Sequence, residues 1–341
     1  MYRIDLTDAD REPVEALLDE LLAVRAATDE ELLDAVALRA QELPRPLRAR
    51  MNTFRLREPS GGCVIGGLRV DDDRIGPTPS RWGEADAGGR TRREDLFLLM
   101  CASLLGDPIA WATQQDGRLL HDVVPIEGHE HAQLNSSTAE PLTWHTEDAF
   151  HPYRAEYVGL MCLRNPDAVE TTYALFDDLR LDETTRRTLA GPHYVIRPDH
   201  SHQPENRTAR GGPDAPADLL ERSIRRIERL TSAPDRVPVL FGDPRAPYGR
   251  LDPYFMDRTP EDPAAAAAFE TLVGEIDARL TGIALRPGEV LFIDNYKAVH
   301  GRNPYRARYD GHDRWLRRVN VARDLRKSRD ARVSAGSRVI F

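Results

Sequence analysis

Two histidines and a glutamate are the residues of this chain whose types and spacing best suit chemistry. His145 and Glu147 are two positions apart in the segment Leu142–His151. If this segment is a β-strand, both side chains point to one face and can reach a single ion. His300, which follows the apolar run Val290–Ile293, is the third candidate ligand. Two imidazoles and one carboxylate leave three positions of an octahedron free, which suits Fe(II) that binds a chelating co-substrate and O₂.

The metal-ligand interpretation has alternatives, because a His-x-Glu motif is short enough to occur by chance in many chains. The same ligands could hold zinc and activate a water molecule in a hydrolase. A non-catalytic binding module would need no metal ligands at these positions. Most other histidines are interpreted as loop or hydrogen-bonding residues, namely His129, His131, His151, His193, His200, His202 and His312.

A group of arginines downstream of His300 indicates a site for carboxylates. If residues 313–322 form a strand, Arg314 and Arg318 share one face and Arg317 points to the other. A guanidinium group can bind a carboxylate through two parallel hydrogen bonds, and a buried arginine without such a partner is costly. A basic edge strand that deters aggregation is the alternative. Together with the three metal ligands, the arginines favour a site for iron and two carboxylate-bearing molecules.

The elements that must position these side chains change character along the chain. Within an N-terminal segment of residues 1–60, residues 10 to about 54 show helical apolar spacing, and residues of about 93–105 form a further apolar helix. Short β-rich runs follow, with helical insertions at about 215–231 and 261–281. The pattern predicts a single α+β domain over 1–341: an all-helical N-terminal wrap followed at about 61–341 by a double-stranded β-helix, or jelly roll. The predicted strands are Cys63–Val70, Leu119–Ile126, Glu156–Arg164, Tyr194–Arg197, Val237–Phe241, Glu289–Ile293 and Trp315–Ala322.

Composition excludes several classes of protein. The formal net charge of −9 argues against a nucleic-acid partner, because binding a phosphate backbone depends on clustered lysine and arginine. No apolar run approaches the roughly 18 residues of a membrane-spanning helix. The N-terminus lacks the pattern of a secretory signal, and three dispersed cysteines support neither a disulfide framework nor a thiolate metal site. We therefore expect a cytoplasmic protein with no membrane partner.

Three segments and the arginine pair resemble the clavaminate synthase-like group of 2-oxoglutarate oxygenases, and especially its arginine and asparagine β-hydroxylases. The segments are Leu142–His151, Arg164–Asp167 and Asp294–Arg302. The resemblance covers roughly residue 60 to the end of the chain. It implies a jelly-roll enzyme that uses Fe(II), 2-oxoglutarate and O₂ to hydroxylate an amino acid in specialised-metabolite biosynthesis, such as that of peptide antibiotics.

The same resemblance implies a role for individual residues. The iron ligands correspond to His145, Glu147 and His300. Arg314 would bind the 2-oxoglutarate carboxylate with the help of a threonine, placed at Thr172 with Thr171 as the alternative. For the substrate, Arg318 would bind the α-carboxylate, while Gln114 and the second oxygen of Glu147 would bind the amino group.

The substrate side chain is the least determined part of this comparison. The resemblance implies a lid at Arg197–His202, which would contribute Asp199 and Ser201, and an acid, Asp252, that contacts a cationic or amide group. In the arginine hydroxylases a second acid is expected two positions later, where this chain has Tyr254. We therefore expect a free amino acid oxidised at Cβ, with Cγ or two positions as alternatives: arginine, or a cyclic derivative such as enduracididine. Asparagine, lysine, citrulline or a carrier-tethered amino acid remain alternatives, and Asp252 could instead be a turn residue.

Overall fold

The computed structural model describes residues 1–84, 88–202, 216–257 and 261–341. The strands, in chain order, are β1 (Tyr2–Asp5), β2 (Gly62–Gly66), β3 (Asp107–Trp111), β4 (Leu120–Val123), β5 (Leu142–His145), β6 (Tyr157–Arg164), β7 (Glu170–Leu175), β8 (Tyr194–Val195), β9 (Arg236–Val237), β10 (Leu240–Asp243), β11 (Ala246–Gly249), β12 (Thr281–Ala284), β13 (Val290–Asp294), β14 (Ala298–Arg302), β15 (Trp315–Ala322) and β16 (Val339–Ile340). The helices are α1 (Asp8–Ala23), α2 (Asp29–Ala40), α3 (Arg45–Arg57), α4 (Asp72–Ile75), α5 (Arg92–Ser103), α6 (Glu183–Leu189), α7 (Ala217–Ser232) and α8 (Pro263–Asp277). Helices and strands are mixed along the chain, as predicted.

The larger of two main sheets, here called the major sheet, has the order β1-β2-β13-β6-β15-β3-β16, with β4 also paired to β15. The β1–β2 and β3–β16 pairs are parallel, and the other pairs are antiparallel. Every residue of β6 and β15 is buried. Successive side chains of a strand point to opposite faces, and here one face packs against the N-terminal helices while the other packs against the second sheet.

The second sheet, here called the minor sheet, has the antiparallel order β12-β7-β14-β5. It faces the major sheet across an apolar cluster contributed by both. The cluster includes Val64, Leu160, Cys162, Leu291, Ile293 and Leu316 from the major sheet, with Ala298, Leu175 and Ile283 from the minor sheet. Leu316 of β15 and Ala298 of β14 both belong to this cluster, so these two strands lie on facing sides of the two sheets.

Helical insertions cover the outer face of the minor sheet. Phe269 and Leu272 of α8 are buried in a cluster that also contains Trp144 of β5 and Val299 of β14. The insertion predicted at 261–281 is α8, and the one predicted at about 215–231 is α7, although its predicted start at 215 lies outside the described residues. None of the described helices is long and apolar enough to cross a membrane.

The N-terminal segment corrects the prediction of an all-helical wrap. Residues 2–5 form β1, which pairs in parallel with β2 at the edge of the major sheet. Ile4 is buried while its neighbours Arg3 and Asp5 are exposed, so four residues with one buried position are too short a pattern to identify from sequence. Helix α5 packs on β3, β6 and β15 of the major sheet, α1 and α2 pack on α5, and α3 contacts β1.

Candidate metal centre and substrate cleft

The two predicted histidine ligands occupy opposite positions on neighbouring strands. His145 ends β5, His300 lies at the centre of β14, and the two residues are partners in the antiparallel register. Their ring centroids are 4.7 Å apart. Oε2 of Glu147 lies 3.8 Å from His145 Nε2 and 3.5 Å from His300 Nε2. The structure therefore brings the three predicted ligands together.

Glu147 reaches this point through a turn, so its predicted position on the strand is wrong. Strand β5 ends at His145, and Glu147 follows in the next turn. The neighbouring Asp148 has a φ of 49°, which is uncommon for a residue other than glycine. The backbone next to Glu147 therefore adopts an uncommon left-handed conformation.

A backbone contact orients His145. Its Nδ1 lies 2.8 Å from the carbonyl oxygen of Thr143. Because that nitrogen donates to the carbonyl, Nε2 is left as the metal-binding atom. Burial opposes charge on this ring, but the nearby carboxylates of Glu147 and Asp252 outweigh burial and raise the pKa of His145 to about 9. The surroundings therefore favour positive charge at the position of an ion.

Glu147 supplies the negative charge. Burial opposes its ionisation, but Arg318 and the imidazoles of His145 and His300 lower the pKa of Glu147 well below its usual range. The three ligand atoms lie within 4.8 Å of one another. This arrangement suits one ion with ligand distances of about 2.1 Å. Two imidazoles and a carboxylate with open positions are typical of non-haem Fe(II) oxygenases, so the donor set fits iron.

Asn295, which the sequence analysis did not identify, fixes the backbone of Glu147. Its Oδ1 accepts a hydrogen bond from the Glu147 N–H at 2.6 Å, and its Nδ2 donates to the Glu147 carbonyl at 3.0 Å. Nδ2 also donates to the carbonyl of Ala155 at 2.8 Å. Asn295 is fully buried in the turn between β13 and β14. The turn that leads to His300 thus also positions Glu147.

Arg318 is buried beside the metal ligands. Its Nη1 donates to Oε1 of Glu147, and its Nη2 donates to Oε1 of Gln114 at 3.3 Å. Nη2 also lies 2.7 Å from Nδ1 of His121, a residue that the sequence analysis did not identify. The predicted substrate-binding pair of Arg318 and Gln114 therefore lies next to a metal ligand. Arg317 points the other way, toward Asp95 and Asp122.

Arg314 is the second buried arginine of this region. Its Nη2 lies 3.5 Å from Oγ1 of Thr171, so the geometry favours Thr171, the alternative, over Thr172 as its partner. Within the described part of the chain no carboxylate pairs with Arg314, and its Nε is buried without a hydrogen-bond partner. Burial lowers the pKa of Arg314. Its guanidinium group is therefore suited to an anion that is not part of the protein.

A small cleft opens beside the metal ligands. All the predicted substrate residues line it, namely Gln114, Glu147, Asp199, Ser201, Asp252 and Arg318. One arginine, Arg318, and four acids, Glu147, Asp148, Asp199 and Asp252, are among its lining residues. Burial raises the pKa of Asp252 to about 6. Tyr254, which stands where a second acid was expected, also lines the cleft and is 51% exposed.

Asp252 serves a turn and the cleft at the same time. Its Oδ1 accepts hydrogen bonds from the N–H groups of Tyr254 at 3.1 Å and Phe255 at 3.4 Å. The turn interpretation and the binding interpretation are therefore compatible. A carboxylate held by two backbone donors is fixed in orientation and can still offer its second oxygen to a ligand.

The predicted lid segment, Arg197–His202, contacts the cleft through Ser201. Oγ of Ser201 accepts a hydrogen bond from Nε2 of Gln114 at 2.6 Å and donates to Oδ1 of Asp199 at 2.5 Å. Gln114 thus contacts both the lid segment and Arg318. The described part of this segment closes one side of the cleft.

His202 anchors the same segment beneath the site, in agreement with its interpretation as a hydrogen-bonding residue. It is fully buried, and its ring nitrogens lie 2.7 Å from Thr113 Oγ1 and 3.0 Å from Asp148 Oδ1. Oδ2 of Asp148 accepts further hydrogen bonds from Trp111 at 2.5 Å and Asn320 at 3.3 Å. Asp148 therefore connects the lid segment to the turn that carries Glu147.

Facing sheets, a carboxylate with two imidazoles and a buried arginine that no described carboxylate pairs with together define a metal-dependent oxygenase that takes an anionic co-substrate. The chain belongs to the taurine catabolism dioxygenase TauD, TfdA family, whose model matches residues 99–320.

Relatives and solved structures extend this result over the whole chain. It is 45% identical over 342 residues to enduracididine beta-hydroxylase of Streptomyces hygroscopicus, with 100% of both chains covered. It is also 45% identical over 343 residues to L-ornithine/L-arginine 3-hydroxylase of Catenulispora acidiphila, again with 100% of both covered. A crystal structure of the non-heme iron oxygenase OrfP in complex with Fe, succinate and (3S)-hydroxy-L-Arg superposes with a TM-score of 0.91 at 40% identity, covering 100% of both chains.

Proposed function

We propose that this protein is an Fe(II)- and 2-oxoglutarate-dependent hydroxylase of a free L-amino acid. The proposed substrate is arginine or an arginine-derived amino acid such as enduracididine, and the proposed carbon is Cβ. The observation that carries the proposal is the joint placement of Arg318 and Asp252 on one cleft that also contains Glu147 and His145. Such a cleft offers a cation to an α-carboxylate and an anion to a cationic side chain, next to a metal site.

His145, Glu147 and His300 would hold the iron. When bound together with 2-oxoglutarate and O₂, the iron supplies the oxidising power that replaces a C–H bond by C–OH, while 2-oxoglutarate becomes succinate and CO₂. Arg314 would bind the far carboxylate of 2-oxoglutarate, with Thr171 as its hydrogen-bonding neighbour. A buried guanidinium without an acidic partner gains most from such an anion, because its desolvation is then compensated.

The other cleft residues would hold the amino acid so that Cβ lies nearest the metal. Arg318 would bind the α-carboxylate, and Gln114 with Oε1 of Glu147 would accept hydrogen bonds from the amino group. Asp252 would contact the guanidinium end, with Asp199 and Ser201 of the lid segment nearby. Fixing both ends of a flexible substrate orients one C–H bond, which is the main contribution that a protein makes to this chemistry.

Similarity supports the substrate class. The two relatives that are 45% identical are named for hydroxylation of enduracididine and of ornithine and arginine, and the OrfP structure holds a hydroxyarginine. We also propose that the two facing sheets form a double-stranded β-helix and that residues 1–341 form one oxygenase domain. The facing sheets and the shared apolar cluster between them support this proposal.

The test is an oxygen-dependence assay. Protein is prepared anaerobically with Fe(II) and 2-oxoglutarate, mixed with L-arginine, enduracididine, ornithine, lysine, asparagine or citrulline, and exposed to O₂. We expect succinate and a substrate that has gained one oxygen atom, with arginine or enduracididine preferred. A reaction that proceeds with zinc in the absence of O₂ would instead indicate a hydrolase. Failure with every free amino acid would contradict the proposed substrate class.

A further inference from the structure

Two adjacent arginines on β15 have opposite kinds of partners. Arg317, on the outer face, pairs with two carboxylates: Nη1 lies 2.6 Å from Asp122, and Nε lies 2.8 Å from Asp95. Arg318, on the inner face, contacts one carboxylate, Glu147, and two neutral groups. The outer arginine is therefore neutralised by structural acids, whereas the carboxylate next to Arg318 is a proposed metal ligand.

His121 is the neutral group nearest to Arg318. It lies on β4 directly opposite Arg318 in the register with β15, and its Nδ1 is 2.7 Å from Nη2 of Arg318. The next residue on β4, Asp122, is opposite Arg317. One strand thus supplies an acid to the structural arginine and an imidazole to the arginine of the cleft.

The protonation state of His121 is determined by its surroundings. The ring is buried, and burial together with the charge of Arg318 lowers the pKa of His121 well below its usual value. Because Nδ1 faces an obligate donor, the neutral ring must accept the hydrogen bond there. The backbone of Arg118 also hydrogen-bonds to this imidazole, which helps to hold the ring in place.

We infer that His121 is a positioning residue for substrate recognition, which orients the Arg318 guanidinium toward the amino acid's α-carboxylate without neutralising it. This inference rests on the proposed function, because it takes Arg318 as the carboxylate-binding residue. A neutral acceptor restricts the arginine side chain and leaves its charge available to the ligand. An acid at the same position would compete with the α-carboxylate for the same guanidinium group.

The inference predicts that changes at His121 weaken binding of the amino-acid substrate and do not weaken binding of 2-oxoglutarate. His121→Phe fills the space without an acceptor and should raise KM for L-arginine at least about tenfold, the usual effect of losing a hydrogen bond to a charged group. KM for 2-oxoglutarate should be unchanged, since Arg314 binds it. His121→Asn places an amide oxygen near the position of Nδ1 and should restore most of the affinity, whereas His121→Asp should bind L-arginine more weakly than His121→Asn does.

Agmatine, which is arginine without its α-carboxylate, distinguishes a loss of Arg318 orientation from general damage to the cleft. Binding of L-arginine and of agmatine to the iron-loaded protein is measured anaerobically by calorimetry, so that no turnover is needed. His121→Phe should weaken L-arginine binding at least about tenfold and leave agmatine binding unchanged. The matched control is Asp122→Asn, which alters the neighbouring Arg317 pair and should lower thermal stability without changing the ratio of the two affinities.

The outcomes separate the inference from the proposed function. If the wild-type protein binds L-arginine but His121→Phe binds it equally well, the inference is wrong and the proposed function stands. An equal loss of affinity for L-arginine and for agmatine in His121→Phe would likewise overturn the inference, because a merely structural role of His121 predicts that result. If the wild-type protein binds neither L-arginine nor enduracididine, the proposed function itself fails.

Discussion

Asn295 and Glu147 are joined by two hydrogen bonds between one side chain and one peptide unit, with N–H to Oδ1 at 2.6 Å and Nδ2 to carbonyl at 3.0 Å. The two residues are 148 positions apart in sequence. This relationship couples the turn before His300 to the turn after His145, and it fixes the one carboxylate of the proposed iron site.

Replacing Asn295 should therefore weaken metal binding as well as stability. We expect Asn295→Ala to lower Fe(II) affinity about tenfold to hundredfold, the usual effect of losing a group that orients a metal ligand. Unfolding should become easier by about 3 kcal/mol, because buried backbone groups lose their partners. Anaerobic Fe(II) titration and thermal unfolding measure the two effects.

Asn165 provides a matched control for that variant. It makes three similar hydrogen bonds, with Val169 N–H and with the carbonyls of Val169 and Leu285, each at 3.0 or 3.1 Å. Asn165→Ala should lower stability and leave Fe(II) affinity unchanged. Equal Fe(II) affinity in wild-type and Asn295→Ala protein would show that Asn295 does not position the ligand.

Arg314→Met should weaken 2-oxoglutarate binding and make the folded protein more stable. Without the guanidinium, KM for 2-oxoglutarate should rise at least about tenfold, because its carboxylate loses a buried charged partner. The free energy of unfolding, measured without ligands, should rise by about 1 to 3 kcal/mol, since an apolar chain replaces a buried charge that has no acidic partner among the described residues. Steady-state kinetics and urea unfolding test both halves. An unchanged KM for 2-oxoglutarate would refute the assignment of Arg314.

Thr171→Val and Thr172→Val together test which face of β7 supplies the threonine that assists 2-oxoglutarate binding. Thr171 is buried and 3.5 Å from Arg314, whereas Thr172 points to the opposite face of the strand. We expect KM for 2-oxoglutarate to rise several-fold in Thr171→Val, in keeping with the loss of one hydrogen bond worth about 1 kcal/mol. Thr172→Val should behave as wild type. The reverse order would restore the assignment made from the sequence resemblance.

Asp252→Asn tests how the cationic end of the substrate is recognised. The substitution preserves size and the Oδ1 acceptor but removes the charge, so kcat/KM for L-arginine should fall about tenfold to hundredfold. Citrulline, which has a neutral group in place of the guanidinium, should be affected much less. Competition between L-arginine and citrulline in one assay gives the ratio of their kcat/KM values directly. An equal fall in kcat/KM for both substrates would contradict a charge contact at Asp252.

Much of the site was predictable because its residues carry local signals. His145 and Glu147 form a compact motif, and His300 follows an apolar strand that could be recognised by itself. The arginine pair was predictable from alternation, since Trp315–Ala322 is a strand with the predicted bounds. In each of these cases the chemistry lies in residues that are neighbours in sequence.

The residues that sequence reasoning missed act through distant partners. Asn295 and His121 are defined by contacts with Glu147 and Arg318, and nothing beside them in sequence indicates those contacts. The choice between Thr171 and Thr172 depends on strand register, where a shift of one residue moves every side chain to the other face. Strands β7 and β14 of the minor sheet were not predicted, because five or six residues that mix polar and apolar side chains lack a clear apolar alternation. Strand β5 was assumed for the metal ligands, but it ends at His145 and does not include Glu147.

The central claim is most directly tested with L-arginine that carries two deuterium atoms at Cβ. The enzyme is incubated with Fe(II), 2-oxoglutarate and O₂, and the product is analysed by mass spectrometry alongside succinate. The proposed function predicts a product that has gained one oxygen and lost one deuterium, with one succinate formed for each turnover. An oxygenated product that retains both deuterium atoms would contradict oxidation at Cβ, and the absence of both oxygen gain and succinate would contradict the assignment of arginine as the substrate.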